Sequence, residues 1–123
     1  MKKEMNTQIM RGQIYDINLE GTKGSETNKH RPCLIVQCKK GNENAPTTIV
    51  IPITHRNGRN QPTQVEIKPW MLEEGSDAVT GLALAEQIRT IDRCRIGDLV
   101  GMLNPQGMAK IDNAILVSMG ISM

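Results

Sequence analysis

Thr47-Thr48-Ile49-Val50-Ile51-Pro52-Ile53-Thr54 decides the fold class. Every residue but Pro52 is β-branched, which favours extended backbone and a packed, pleated surface. Proline cannot donate to a ladder, so Pro52 implies a sheet edge or a bulge near the end of this strand. Just upstream, Pro32-Cys33-Leu34-Ile35-Val36 is a short continuous apolar run, the pattern of a strand buried on both faces. Further back, Tyr15, Ile17 and Leu19 alternate with Asp16 and Asn18, as in a half-buried strand. Downstream, Val65 and Ile67 alternate with Gln64 and Glu66. Leu82 to Ile91 (LALAEQIRTI) reads as a strand bent or broken near Glu86-Gln87.

Between these runs, Glu20 to His30 and His55 to Pro62 read as polar loops, and Lys39 to Pro46 as a turn-rich connection. Pro69 to Gly75 holds one irregular helical turn, and Gly97 to Leu103 reads as a short helical or connecting piece. The clear helix is the last. Asn104 fits an N-cap and Pro105 the first helical position, and Met108, Ile111, Ile115 and Met119 then recur at helical spacing. The broad Ile115-Leu116-Val117 stretch implies that two sides of this helix pack. Residues 1–11 read as a loose arm and residues 12–123 as a single domain. Roughly five or six short strands and one C-terminal helix predict a mostly-β fold, a small antiparallel barrel filled by Ile, Val and Leu.

The composition narrows the function. At 123 residues, with 38% hydrophobic and 23% charged residues, the chain fits one globular domain and not a disordered one. Phe is absent and Tyr15 and Trp70 are the only aromatics, which rules out an aromatic stacking platform for RNA bases. No apolar run reaches the roughly eighteen residues of a membrane span and no signal-peptide core is present, so a cytoplasmic protein without membrane contact is expected. Cys33, Cys38 and Cys94 lack CxxC spacing, which favours buried reduced thiols over disulfides or zinc.

The net charge of +2 hides an asymmetry. From Lys23 to Arg59 seven Lys/Arg face two acids, whereas from Asn60 onward five bases face eight acids. That segment is either one face built for an anion or a solvated lysine-rich loop. Arg31 enters a buried strand with its backbone restricted by Pro32, and its planar guanidinium suits a phosphate. It could equally cover the barrel end with its stem and keep its head in water. Thr54 closes its strand beside a basic loop, as Arg31 opens one. If the two strands are neighbours, a hydroxyl and a guanidinium share one rim. His30 and His55 are not spaced as a ligand pair, and no metal or cofactor motif is present, so no cofactor is expected.

In order and spacing, several segments together resemble the MazF/PemK (Kid-like) toxins of bacterial toxin–antitoxin systems. They are Arg11-Gly12-Gln13-Ile14-Tyr15, Gly24-Ser25-Glu26, His30 to Val36, Ile53-Thr54, Pro62 to Ile67, and Glu86-Gln87-Ile88-Arg89-Thr90-Ile91-Asp92. The resemblance implies an SH3-like barrel acting as a homodimer. It also implies metal-independent cleavage of single-stranded RNA at short motifs, and neutralisation by a cognate acidic antitoxin. Arg31 and Thr54 match the family's catalytic pair, and Glu26 and Gln87 match residues lining its RNA site. Lys29, His30, His55, Arg56 and Arg59 are the further candidates for RNA contact. Cleavage would proceed by attack of the substrate's own 2′-hydroxyl, with Arg31 stabilising phosphoryl charge and Thr54 donating a hydrogen bond. Glu26, or else His30, would act as base, or water alone in a slow enzyme. Departures in His55 to Pro62 and Trp70 to Thr80 point to those loops for target choice. The alternatives are a non-enzymatic toxin of the same fold that binds DNA gyrase and a plain SH3-like binding module, neither of which needs Arg31 with Thr54.

Overall fold

The computed structural model describes residues 8–19, 30–55 and 61–121. Among these residues there are seven strands: β1 Gln13–Asn18, β2 His30–Ile35, β3 Thr47–Thr54, β4 Gln64–Ile67, β5 Gly81–Leu84, β6 Arg89–Asp92 and β7 Ile96–Met102. Two helices accompany them, α1 Lys39–Asn44 and α2 Pro105–Ser118. All strand pairings are antiparallel, in the order β4-β5-β3-β2-β1-β7, with β6 also on β3. The ladder does not close on itself, yet its two ends are brought together. After β4 the chain forms a turn at Pro69–Met71 and then runs along the outer edge of β7. There Leu72 bridges Leu103, the Glu73 amide donates to the Met102 carbonyl at 2.8 Å, and the Asp77 amide donates to that of Val100 at 2.8 Å. This covers an edge that would otherwise be open and makes the sheet barrel-like.

β3 is the hub, and Pro52 sits inside it without ending it. Thr47 to Val50 pair with β6, whereas Ile53 and Thr54 pair with β5. Ile51 and Pro52 fall between the two partners, so on that edge no ladder bond is lost to the proline's missing N–H. The strand is therefore central, with a split neighbour in place of the expected edge. LALAEQIRTI breaks where its sequence predicts, into β5, a turn at Ala85–Gln87, and β6.

Two clusters fill the two faces of the sheet. Ile14, Leu34, Ile51, Ile53, Met71 and Ile111 belong to the larger, under α2. Tyr15, Ile17, Cys33, Ile35, Val50 and Ile91 form the smaller, on the other face. β2 contributes to both, as a strand buried on both faces must. Ile9 is buried in the smaller cluster, and Arg11 donates from Nε to the Val36 carbonyl at 2.8 Å and from Nη2 to Asp112 at 2.6 Å.

α2 is capped as its sequence predicts, the Asn104 side chain accepting from the Gly107 amide at 2.8 Å. It buries Gly107, Met108, Ile111 and Ala114, while Val117 and Met119 are exposed, so one side of it packs rather than two. Gly97 to Leu103 is largely strand β7, not a helical connection. Lys39–Asn44 is a short helix held by side chains rather than by propensity. Buried Asn42 accepts from Thr48 Oγ1 at 2.7 Å and from Gln37 Nε2 at 3.0 Å, and donates to the Gln37 carbonyl at 3.0 Å. Of the three cysteines, all free thiols, only Cys33 is buried.

Candidate active site

Arg31 and Thr54 occupy the ends of neighbouring antiparallel strands, and the register sets them opposite each other. Cys33 pairs with Pro52, Leu34 with Ile51 and Ile35 with Val50, so two residues further along Arg31 faces Thr54. Directly paired residues project from the same face. Both therefore lie on the face of Cys33, Ile35 and Val50. Arg31 Nη1 donates to the Ile53 carbonyl at 3.4 Å, which draws the guanidinium across onto β3 beside Thr54. Both residues are half-buried. A guanidinium so anchored has lost much of its rotamer freedom before any ligand arrives.

Gly81, to which the sequence pattern assigns no role, shapes the other side of Thr54. It opens β5 with φ of 124°, and a Cβ there would run into the Thr54 carbonyl oxygen. Only glycine lets β5 approach the end of β3 this closely. Its one signal in the sequence is a glycine at the start of a strand pattern.

Strand alternation separates residues that are adjacent in sequence. His30 and Pro32 project from the face opposite Arg31. His30 Nδ1 lies 3.4 Å from Asp16 Oδ2, and both are exposed at that contact. Asp16, Asp77 and Asp98 line a hollow of about 320 Å³ together with His55, Pro32 and Val79. Both histidines therefore sit on the acidic side, apart from the Arg31–Thr54 pair. Among the described residues, no three His, Cys, Asp or Glu are grouped to hold a metal ion. Gln87 is exposed in the Ala85–Gln87 turn, where β5 gives way to β6, while its neighbour Glu86 accepts from Gln64 at 3.1 Å. Glu26, Lys29, Arg56 and Arg59 lie outside the described residues.

Burial pushes the Cys33 thiol up to about 12, despite the Arg31 and Arg89 guanidinium charges that pull it down. Cys33 is thus a neutral part of the floor between them and no nucleophile. A larger hollow of about 680 Å³, between β4, the exposed Trp70 and α2, shares no residue with either site.

The model for the PemK-like, MazF-like toxin of type II toxin–antitoxin systems matches residues 10–119. The chain belongs to that family. Endoribonuclease MazF of Staphylococcus epidermidis is 37% identical over 115 residues, covering 93% of each chain. A mycobacterial endoribonuclease solved in complex with its cognate antitoxin aligns at 28% identity with a TM-score of 0.77, over 94% of this chain and 98% of that one. MazF from Deinococcus radiodurans has the same fold, with a TM-score of 0.77 over 94% of this chain and 99% of that one at 20% identity. The mostly-β architecture with a C-terminal helix is thus that of the MazF-like toxins, and Arg31, Thr54 and Gln87 all fall inside the matched span. No helix among the described residues of this toxin is long and apolar enough to cross a membrane.

Proposed function

We propose that this toxin cuts single-stranded RNA by directing the substrate's own 2′-hydroxyl at the adjacent phosphorus, with Arg31 and Thr54 as its catalytic pair. As a member of the MazF/PemK family the chain is an endoribonuclease toxin of the mRNA interferase type. The observation that carries the finer reading is the guanidinium of Arg31 held across the strand pair, on the Ile53 carbonyl, directly beside Thr54. In-line transesterification demands positioning and stabilisation of charge on the phosphoryl oxygens above all. Arg31 meets that demand with a forked donor of fixed charge. Thr54 adds a hydroxyl that donates to a second phosphoryl oxygen. The 2′-oxygen forms a bond to phosphorus as the bond to the 5′-oxygen breaks, leaving a 2′,3′-cyclic phosphate and a 5′-hydroxyl. The 2′-hydroxyl proton goes to a base. Since His30 faces Asp16 on the opposite side of the sheet, Glu26 is the residue we assign to it. The leaving 5′-oxygen takes its proton from the Arg31 guanidinium, which regains one from water, while Glu26 gives up the 2′-hydroxyl proton to solvent.

Gln87, Lys29, Arg56 and Arg59 complete the RNA site in this reading, with backbone and polar side chains reading bases in place of aromatic stacking. The working form is a homodimer, neutralised by an acidic antitoxin whose attraction to the basic segment weakens as salt rises. A related mycobacterial endoribonuclease has been solved with its cognate antitoxin, which supports such a partner. A gyrase-binding toxin and a plain binding module are not favoured.

The test is incubation of the purified protein with a long single-stranded RNA in EDTA, followed by mass spectrometry of the fragment ends. Discrete fragments ending in a 2′,3′-cyclic phosphate or 3′-phosphate, with 5′-hydroxyl partners, are expected. An RNA with 2′-deoxyribose immediately 5′ of the cut should bind and remain whole. Cleavage of that substrate, or a 5′-phosphate product, would assign the attack to water.

A further inference from the structure

We propose that Arg89 is a second phosphate clamp of this toxin, holding the RNA backbone next to the nucleotide at which Arg31 and Thr54 act. The inference rests on the ribonuclease reading above and adds a residue that reading does not use. The register places it. Arg89 pairs with Val50, which pairs in turn with Ile35, so Arg89 projects from the same face as Cys33, Arg31 and Thr54. Strand rise and spacing set its Cα about 14 Å from that of Thr54, with Cys33 and Pro52 lying between. With the Arg31 guanidinium held on the Ile53 carbonyl, an Arg89 side chain extended along that floor brings its head within the span of a neighbouring backbone phosphate. Both guanidinium charges are felt at the Cys33 thiol between them.

Its neighbours show what sets Arg89 apart. Arg93 donates to the Asn42 carbonyl at 2.6 Å and Arg95 to the Asn18 carbonyl at 3.0 Å, so both brace the fold. Arg89 is exposed, and among the described residues its side chain makes no hydrogen bond or ion pair. An arginine whose side chain holds nothing in the protein, on the face that carries the catalytic pair and two residues beyond the Ala85–Gln87 turn, is available to a polyanion.

The experiment uses the full chain and an RNA oligonucleotide spanning a cut mapped with the wild type, blocked by 2′-deoxyribose at that position. Arg89→Ala should weaken binding about 5- to 20-fold near 0.1 M salt. It should also flatten the slope of log affinity against log salt by about 0.7, one phosphate contact on a single strand. Arg89→Lys should restore most of the slope. On the cleavable RNA, Arg89→Ala should raise KM while the single-turnover rate at saturation stays within about threefold of wild type. Lys110→Ala, at the separate hollow beside α2, controls for loss of charge as such. An unchanged salt slope in Arg89→Ala, with wild-type cleavage intact, would overturn the clamp alone. A saturating rate that falls as it does for Arg31→Ala would also overturn it, by making Arg89 part of the chemistry. A wild-type protein that neither binds nor cuts RNA would instead sink the ribonuclease reading.

Discussion

The two faces of the sheet at the open ends of β2 and β3 differ in charge although they are built from alternate residues of the same strands. One carries Arg31, Thr54 and, further along, Arg89, over a floor of Cys33 and Pro52. The other carries His30, His55, Asp16, Asp77 and Asp98 around a hollow. His30 and Arg31 are covalent neighbours, yet one faces carboxylates and the other faces Thr54. A period of two is enough to do this, because each step along a strand changes the face. Proximity in sequence is therefore a poor guide to which charges act together here. Neighbours in sequence thus separate onto a face with Arg31 and a face with Asp16, Asp77 and Asp98.

If this division is functional, substitutions on the arginine face should be far more damaging to cleavage than those around the hollow. Arg31→Ala should have the largest effect, a loss of about 10²- to 10³-fold in single-turnover rate, the scale of removing one preorganised charge-stabilising donor. Its structural cost should be at least about 1 kcal/mol, since the substitution takes the hydrogen bond to the Ile53 carbonyl out of the folded state. A variant still cutting within tenfold of wild type would break the assignment. Thr54→Val keeps the shape and deletes the hydroxyl. Losing one hydrogen bond to a charged oxygen, about 2 kcal/mol, should slow cleavage roughly 30-fold. A wild-type rate would remove Thr54 from the chemistry.

The floor offers a pH test. Burial raises the Cys33 thiol to about 12 in the folded chain, above the 9.0 of an unperturbed thiol. Between those values the unfolded chain loses this proton while the native one keeps it, so the native state binds more protons and stability falls as pH rises. The slope should be roughly 1 kcal/mol per pH unit above pH 9, and Cys33→Ala should abolish that component in denaturant titrations. At pH 8 a thiol alkylating agent should label Cys38 and Cys94 and spare Cys33, as read by peptide mass spectrometry. Rapid labelling of Cys33 in the native protein would mean that the floor is open. The smallest effect belongs to the acidic side. His30→Ala and Asp16→Asn remove an exposed polar contact worth under about 1 kcal/mol and should leave the cleavage rate within threefold of wild type. A loss in His30→Ala approaching that of Arg31→Ala would erase the distinction between the faces and make His30 the base.

Local pattern made much of the molecule legible. The β-branched run of β3, the apolar run of β2, the break at Ala85–Gln87 and the Asn104-Pro105 cap are all stated by residue type and spacing, because each depends on forces acting within a few residues. Three features were not. Gly97 to Leu103 carries Gly97, Asp98 and Gly101, which weaken any strand signal, and it is extended because β1 on one side and residues 72–77 on the other supply its hydrogen bonds. The α1 segment Lys39–Asn44 is glycine- and asparagine-rich, and it is helical because buried Asn42 ties it to Gln37 and Thr48. Pro52 reads as an edge residue, and it is tolerated at the centre because β5 and β6 leave a gap beside it. In each case the deciding partner is remote or is a side chain, which no local window contains.

The same divide holds for the site. Residue type alone left Arg31 either an anion-binding group or a cover for the barrel end, and Thr54 a strand-end threonine that shares its rim only if the two strands are neighbours; the resemblance to the MazF/PemK toxins matched them to a catalytic pair. Only the tertiary structure decided that these two meet across β2 and β3, that His30 and His55 belong with Asp16, and that Arg89 lies on the face of Arg31 and Thr54. The reason is physical. Residue chemistry is local, whereas which residues share a face depends on strand register, set by burying Leu34, Ile51 and Ile53 on one side and Cys33, Ile35 and Val50 on the other.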